Sequence, residues 1–158
     1  MNYGEKAALI GKNGSGKSTL IKMILGQDTN FQGELKLGTS IKIGYISQNI
    51  IFENNEKTVL DYFLEGNNLS ETEARSKLAK YGFRQENAFK RIGKLSGGEK
   101  VRIILMKLIQ KDINFLILDE PTNHIDIDTR EILEEALKEY KKKFGQRVFV
   151  PGNPAWLR

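Results

Sequence analysis

The stretch that decides the fold is Gly11-Lys12-Asn13-Gly14-Ser15-Gly16-Lys17-Ser18, with Thr19 directly after it. It fits the pattern G-x-x-x-x-G-K-[ST], in which a glycine-rich loop joins a strand to a helix and surrounds phosphate with backbone N–H groups. Residues 6–10 before it read as a short buried strand. After it, Leu20, Ile21, Ile24 and Leu25 recur at helical spacing. The stretch therefore predicts a strand, a phosphate loop and a helix.

The residue types in this loop suit a nucleotide. Glycines let the backbone approach phosphate closely, and the N-terminus of the next helix favours negative charge. We expect Lys17 to neutralise the outer phosphates, Ser18 to place its hydroxyl on Mg²⁺, and Thr19 to lie beside the inner phosphates. A glycine-rich turn without a ligand is the alternative, and the length of the pattern disfavours it.

A second segment adds carboxylates. Phe115-Leu116-Ile117-Leu118 is a continuous apolar run followed by Asp119 and Glu120. Such a run is typical of a central parallel strand that is covered on both faces. In enzymes with a phosphate loop, an aspartate at this place helps to hold Mg²⁺, and a neighbouring carboxylate can polarise the attacking water. Asp119 is therefore the candidate metal partner and Glu120 the candidate general base; two solvated acids at a strand end are the alternative.

A third segment, Leu95-Ser96-Gly97-Gly98-Glu99, precedes a predicted helix. The serine and the two glycines create another helix N-terminus that could receive an anion. A helix cap made by Ser96 and Glu99 explains the same residues nearly as well. The segment alone leaves both interpretations open.

The remaining pattern predicts an α/β fold with a helical insertion. Residues 33–37 and 41–46 look like a strand pair turned around residues 38–40. Thr58 opens one helix, and Ser70 with Glu73 forms a capping box for another, which stops at Gly82. A further helix is expected over residues 130–143.

Composition narrows the function classes. The 158 residues include no cysteine and a single histidine, His124, which excludes thiolate catalysis, disulfides and a histidine cluster for a metal. No apolar run approaches the roughly 20 residues that span a bilayer, and no targeting segment is visible, so we expect no membrane span and a cytoplasmic location. The formal net charge of +5 weakly favours phosphate-rich partners such as nucleotides or RNA.

The phosphate loop, Leu95-Ser96-Gly97-Gly98-Glu99 and Leu118-Asp119-Glu120-Pro121-Thr122 follow one another in this order along the chain. Together they resemble the ATP-binding cassette (ABC) family over residues 6–143. The resemblance implies a P-loop NTPase core with a small helical subdomain, and ATP and Mg²⁺ as cofactors. It also implies that two cassettes face each other, with Ser96, Gly97, Gly98 and Glu99 of one serving the nucleotide of the other. Gln48 then matches a glutamine that approaches Mg²⁺ and the attacking water, although an ordinary surface glutamine is the alternative. Asp126 matches an aspartate at the cassette interface.

Two longer matches narrow the subfamily. Leu-Ser-Gly-Gly-Glu-Lys-Val-Arg from Leu95 and Glu-Pro-Thr-Asn-His-Ile-Asp from Glu120 resemble ABC-F proteins, which carry two cassettes in one chain. This resemblance implies action on the ribosome, as a translation factor or in antibiotic resistance, with ribosomal RNA as a possible partner. In ABC-F proteins, the first cassette usually carries an inserted arm between the segments that correspond to Gln48 and Leu95. Only 46 residues separate Gln48 from Leu95, which leaves no room for the arm. The resemblance therefore implies the second cassette.

The end of the sequence departs from the family pattern. After Val148-Phe149-Val150, where the family has Ser-His-Asp, the chain has Pro151-Gly152-Asn153. Pro151 and Pro154 are expected to discourage regular structure there. We expect a partial ATP-binding domain over residues 1–144, with a helical subdomain at about 52–110, and an atypical tail at 145–158. Two alternatives stay open: the ATP-binding subunit of a membrane transporter, and a degenerate nucleotide-binding module without turnover.

Overall fold

The computed structural model describes residues 6–12, 14–119, 127–144 and 147–151. Within these described residues, four strands and five α-helices follow one another. In order, they are β1 Lys6–Leu9, α1 Lys17–Ile24, β2 Ile43–Ile46, α2 Val59–Leu64, α3 Glu71–Lys80, α4 Gly97–Gln110, β3 Phe115–Leu118, α5 Ile127–Phe144 and β4 Arg147–Pro151. Two short 3-10 helices, Gln85–Phe89 and Ile92–Lys94, lie between α3 and α4. The α/β class predicted from the sequence is confirmed.

The four strands form one parallel sheet in the order β1-β4-β3-β2. Because all strands run the same way, their carboxyl ends meet at one edge of the sheet. The phosphate loop follows β1, Asp119 follows β3, and Gln48 lies two residues after β2. Ligands of open parallel sheets bind at this edge, so the fold gathers there three of the segments that the sequence singled out.

Strand β3 divides the core into two layers. All four of its residues are buried, which confirms the predicted central strand. Phe115 and Ile117 pack with Ile21 of α1, whereas Leu116 and Leu118 belong to the larger core formed with the helices. The split follows from the alternation of side chains along a strand.

The helices between β2 and β3 begin where the sequence predicts. Thr58, Ser70 and Ser96 each form a capping box with the residue three positions later, at the start of α2, α3 and α4. Each cap satisfies N–H groups that the first helical turn cannot pair internally. The large side chains in the core of this helical part are fully buried: Phe63, Leu78, Phe83, Ile92, Ile103 and Met106.

The predicted strand pair over residues 33–37 and 41–46 is wrong. Residues 34–38 have no strand conformation, and β2 begins at Ile43 and pairs in parallel with β3. Leu37 is 44% exposed and does not pack in the core, whereas Ile41 and Ile43 pack against the cluster that contains Ile21 of α1. Local alternation suggested a hairpin, but the long-range partner β3 takes the hydrogen bonds of β2.

The prediction that Pro151 discourages regular structure is wrong. Pro151 is the last residue of β4 and lies opposite Leu9 of β1. A proline at a strand end removes at most one ladder hydrogen bond, so the strand tolerates it. Pro154 falls outside the described residues. Within the part of the chain that is described, no helix is long and apolar enough to cross a membrane.

Candidate nucleotide site

The backbone of the loop after β1 requires glycine at two positions. Gly14 and Gly16 have φ angles of +81° and +87°, in the left-handed region that other residues adopt at a cost. At Gly11, a Cβ atom would collide with Oγ of Ser15. The loop is further closed by the N–H of Ser15, which donates to the carbonyl of Lys12 at 3.1 Å. These features give a tight turn lined by backbone.

Lys17 reaches back across this turn. Its Nζ donates to the carbonyl oxygens of Gly11 at 2.9 Å and Lys12 at 3.1 Å. An ammonium group has three N–H donors, so one more remains for an acceptor held by the loop. The ammonium group of Lys17, which is predicted to contact the outer phosphates, is thus held against the loop by two hydrogen bonds.

The N-terminus of α1 lacks the side-chain cap found on the three helices that follow β2. Its N-cap residue is Gly16, which offers no side-chain hydrogen bond. The first-turn N–H groups of a helix have no partner within the helix and carry a partial positive charge. Ser18 and Thr19 in this turn are exposed, while Ile21 anchors the helix on the sheet at 1% exposure. This end of α1 is suited to phosphate.

Asp119 is held firmly at the end of β3. It is 7% exposed, and its backbone N–H donates to the carbonyl of Ile46 at 2.9 Å. Its Oδ2 accepts a hydrogen bond from the hydroxyl of Tyr45 at 3.3 Å. Burial, together with the charge of Asp119 and this hydrogen bond, raises the pKa of Tyr45 to about 12. Tyr45 therefore keeps its proton at neutral pH and acts as a donor.

Tyr45 is a site residue that the motifs did not reveal. It stands three positions before Gln48, on the strand that pairs directly with β3. The pairing of β2 with β3, which no local pattern supplies, is what brings its hydroxyl to Asp119. Gln48 is exposed at the same edge of the sheet as Asp119.

The donor set suits Mg²⁺ bound together with a nucleotide. Among the described residues, no group of three histidine, cysteine, aspartate or glutamate side chains could hold a metal ion. Mg²⁺ commonly takes one or two protein carboxylates and completes its shell with phosphate oxygens and water. The hydroxyl of Ser18 and the carboxylate of Asp119 are ligands of that kind, so the chain fits a cation that arrives with phosphates.

The segment at the start of α4 is a real helix cap. The N–H of Glu99 donates to Oγ of Ser96 at 3.2 Å, and the N–H of Ser96 donates to the Glu99 carboxylate at 2.7 Å. Lys90 also donates to this carboxylate at 2.8 Å. Burial opposes ionisation of Glu99, but the hydrogen bonds from Lys90 and Ser96 outweigh it and lower its pKa.

The two glycines of this segment differ in their surroundings. A Cβ on Gly97 would meet no atom within 4 Å, whereas one on Gly98 would lie 2.7 Å from Oγ1 of Thr129. Ser96 and Gly97 are both exposed. The cap therefore coexists with an open surface, and the role of this segment towards a second cassette stays a prediction.

Three predicted site residues fall outside the described residues. They are Asn13 in the loop, the candidate base Glu120, and the candidate interface residue Asp126. Their roles remain predictions.

Comparison with protein families gives a direct match. Residues 1–123 match the family model described as ABC transporter. The chain is 40% identical over 141 residues to ABC transporter F family member 2 of Arabidopsis thaliana, covering 87% of this chain and 21% of that protein. It is 41% identical over 144 residues to the energy-dependent translational throttle protein EttA of Escherichia coli O6:H1, covering 87% of this chain and 26% of that protein.

Among solved structures, the chain resembles archaeal ribosome recycling factor aABCE1, determined in complex with the ribosomal stalk protein aP1. The TM-score is 0.77 at 24% identity, over 96% of this chain and 29% of that one. This likeness shows the fold. The chain spans about a quarter of the length of the curated relatives that it matches.

Proposed function

Because this chain belongs to the ABC transporter family and is an ABC-F protein, we propose that it binds Mg·ATP at residues 11–19. The position of Lys17 carries the proposal, since its Nζ is fixed by two loop carbonyls beside the uncapped start of α1. Asp119 supplies the carboxylate at the same edge of the sheet.

Each side chain near the loop has a defined task in this proposal. Lys17 and the N–H groups of the loop bind the outer phosphates, and Thr19 lies beside the inner ones. Ser18 and Asp119 hold Mg²⁺, with Gln48 approaching from the end of β2. When bound, Mg²⁺ neutralises charge that develops on the phosphates during transfer.

Hydrolysis requires residues beyond the loop. Glu120 accepts a proton from the water that attacks the terminal phosphate in line with the leaving oxygen. The exposed Ser96 and Gly97 face the nucleotide of a second cassette, with Gly98 packed behind them against Thr129, and Asp126 lies at the interface between the two cassettes. Hydrolysis is thus a property of the paired cassettes.

Amide hydrogen exchange tests the binding step at the proposed place. Mg·ATP should slow exchange of the amides in residues 11–19, because bound phosphate oxygens accept their hydrogen bonds. Amides of α3, in the helical part, should exchange at an unchanged rate and serve as an internal control. Protection elsewhere with none in the loop would show that the nucleotide binds at another site.

We further propose that the intact parent acts on the ribosome. The support is the sequence similarity to EttA, whose name assigns it to translation, and to a member of the F family. The net charge of +5 agrees with a partner rich in phosphate. The parent with Glu120→Gln lacks the proposed base, so it should hold ATP without cleaving it and should cosediment with ribosomes when ATP is present. Its absence from the ribosomal pellet would favour the transporter alternative, in which the partner is a transmembrane subunit.

One observation supports a second candidate, a cassette that binds ATP without turnover. Strand β4 lies between β1 and β3 and ends at Pro151, which Gly152 and Asn153 follow where the family has Ser-His-Asp. The histidine that would contact the terminal phosphate is replaced. A purified parent with this sequence that binds ATP but shows no phosphate release, and gains it with Gly152→His, would support this candidate. Steady phosphate release without the histidine would exclude it.

A further inference from the structure

The face of the sheet to which Asp119 belongs is fixed by strand alternation. In β3, Phe115 and Ile117 lie on the side covered by α1, and Asp119 continues the same odd-numbered series. Its carboxylate thus shares a face with α1, whose first turn belongs to the phosphate loop. In β2, Tyr45 pairs with Ile117 and packs in the same cluster.

This register makes Tyr45 the diagonal neighbour of Asp119. Asp119 lies two positions beyond Ile117, the partner of Tyr45 in the parallel pair, and on the same face of the sheet. The hydroxyl of Tyr45 accordingly donates to Oδ2 of Asp119 at 3.3 Å. The ring is held by the apolar cluster of Ile21, Phe115 and Ile117, so the donor has a fixed origin.

A hydrogen bond to one carboxylate oxygen limits rotation of the group and sets the direction of the other oxygen. Asp119 is already fixed at its backbone by the bond to Ile46. Partners of metal-binding carboxylates that act in this way affect metal affinity strongly although they do not touch the metal.

We propose that Tyr45 is a positioning residue that orients the Asp119 carboxylate for Mg²⁺, and so sets the Mg²⁺ dependence of nucleotide binding. This inference rests on the proposed function of the loop. Through Tyr45, strand β2 itself contributes to the metal site, in addition to the proposed contribution of Gln48, which lies two residues after the strand.

Calorimetric titration of the chain with ATP, in EDTA and over a series of Mg²⁺ concentrations, tests the proposal. Tyr45→Phe removes only the hydroxyl and keeps the ring in its cluster. In EDTA, the ATP affinity of Tyr45→Phe should stay within about twofold of that of the unaltered chain. The Mg²⁺ concentration at which Mg²⁺ produces half of its full increase in ATP affinity should rise about 10-fold. Tyr62→Phe, in the helical part where the ring packs on Phe52, is the matched control and should leave both values unchanged.

A double variant separates orientation from a general loss of structure. With Asp119→Asn present, Tyr45→Phe should have no further effect on the Mg²⁺ dependence, because the group that it orients is gone. Additive effects of the two substitutions on the Mg²⁺ dependence would overturn the proposal. So would an unchanged Mg²⁺ dependence in Tyr45→Phe, or a loss of ATP affinity that is as large in EDTA as in Mg²⁺. Failure of the unaltered chain to bind ATP would instead overturn the proposed function and this inference with it.

Discussion

Replacing Gly98 by alanine should destabilise the protein, whereas the same change at the neighbouring Gly97 should not. A Cβ on Gly98 would lie 2.7 Å from Oγ1, 3.1 Å from Cγ2 and 3.2 Å from Cβ of Thr129. Thr129 is fully buried in the first turn of α5, so it has little freedom to move. Helix α4 would have to shift away from α5.

The magnitude follows from the cost of overpacking. Forcing an extra carbon into a closely packed contact costs about 1–3 kcal/mol. For a chain of this size, each kcal/mol lowers the melting temperature by about 2–4 °C, so Gly98→Ala should melt about 2–12 °C below the unaltered protein. Gly97 has no atom within 4 Å of its would-be Cβ and lies at the start of a helix. Alanine there should be neutral or stabilise by up to about 1 kcal/mol, since it restricts the unfolded chain.

Thermal and urea unfolding followed by far-ultraviolet circular dichroism would measure both variants. The two substitutions add the same methyl group at adjacent positions of one helix, so each controls for the other. Equal midpoints for Gly97→Ala and Gly98→Ala would refute the packing of α4 against Thr129. A Gly98→Ala protein as stable as the unaltered one would do the same.

Three further predictions concern the core, the sheet and pH. Phe63 is fully buried among the helices, so Phe63→Ala should lower the free energy of unfolding by about 3–5 kcal/mol, measured by urea titration. Gly44→Ala would drive a Cβ into the buried side chain of Ile113, and should cost about 1–3 kcal/mol in the same assay. The folded-state pKa of Glu99 is lowered, so its contribution to stability is complete above the ordinary glutamate value of about 4.3 and is lost as the pH falls through the folded value. Unfolding midpoints of Glu99→Gln and the unaltered protein should therefore converge in acid; a constant difference would contradict the assigned pKa direction.

Local chemistry made much of this structure predictable. The glycine pattern of residues 11–19 gave the first strand, loop and helix, because it specifies both the backbone and the elements at its ends. Thr58 and Ser70 with Glu73 marked helix starts correctly, since a capping box depends on residues only three positions apart. The unbroken apolar run at Phe115–Leu118 located the central strand.

Features that depend on pairing between distant segments were not predictable. The alternation over residues 33–37 and 41–46 suggested a hairpin, but β2 pairs in parallel with β3, some 70 positions along the chain. The hydrogen bond from Tyr45 to Asp119 is a consequence of that pairing and was missed for the same reason. Gly98 could be assigned to the motif, but its contact with Thr129 depends on how α4 and α5 pack.

Calorimetric titration of the chain with ATP in excess Mg²⁺ tests the central claim most directly. We predict saturable binding at one site, weakened about 10- to 150-fold by Lys17→Ala, since a hydrogen bond to a charged group contributes about 1.5–3 kcal/mol. Lys22→Ala, which removes an exposed lysine from the last turn of the same helix, should bind as the unaltered chain does. A folded protein that takes up no ATP, or one whose affinity is the same with Lys17→Ala, would contradict the account.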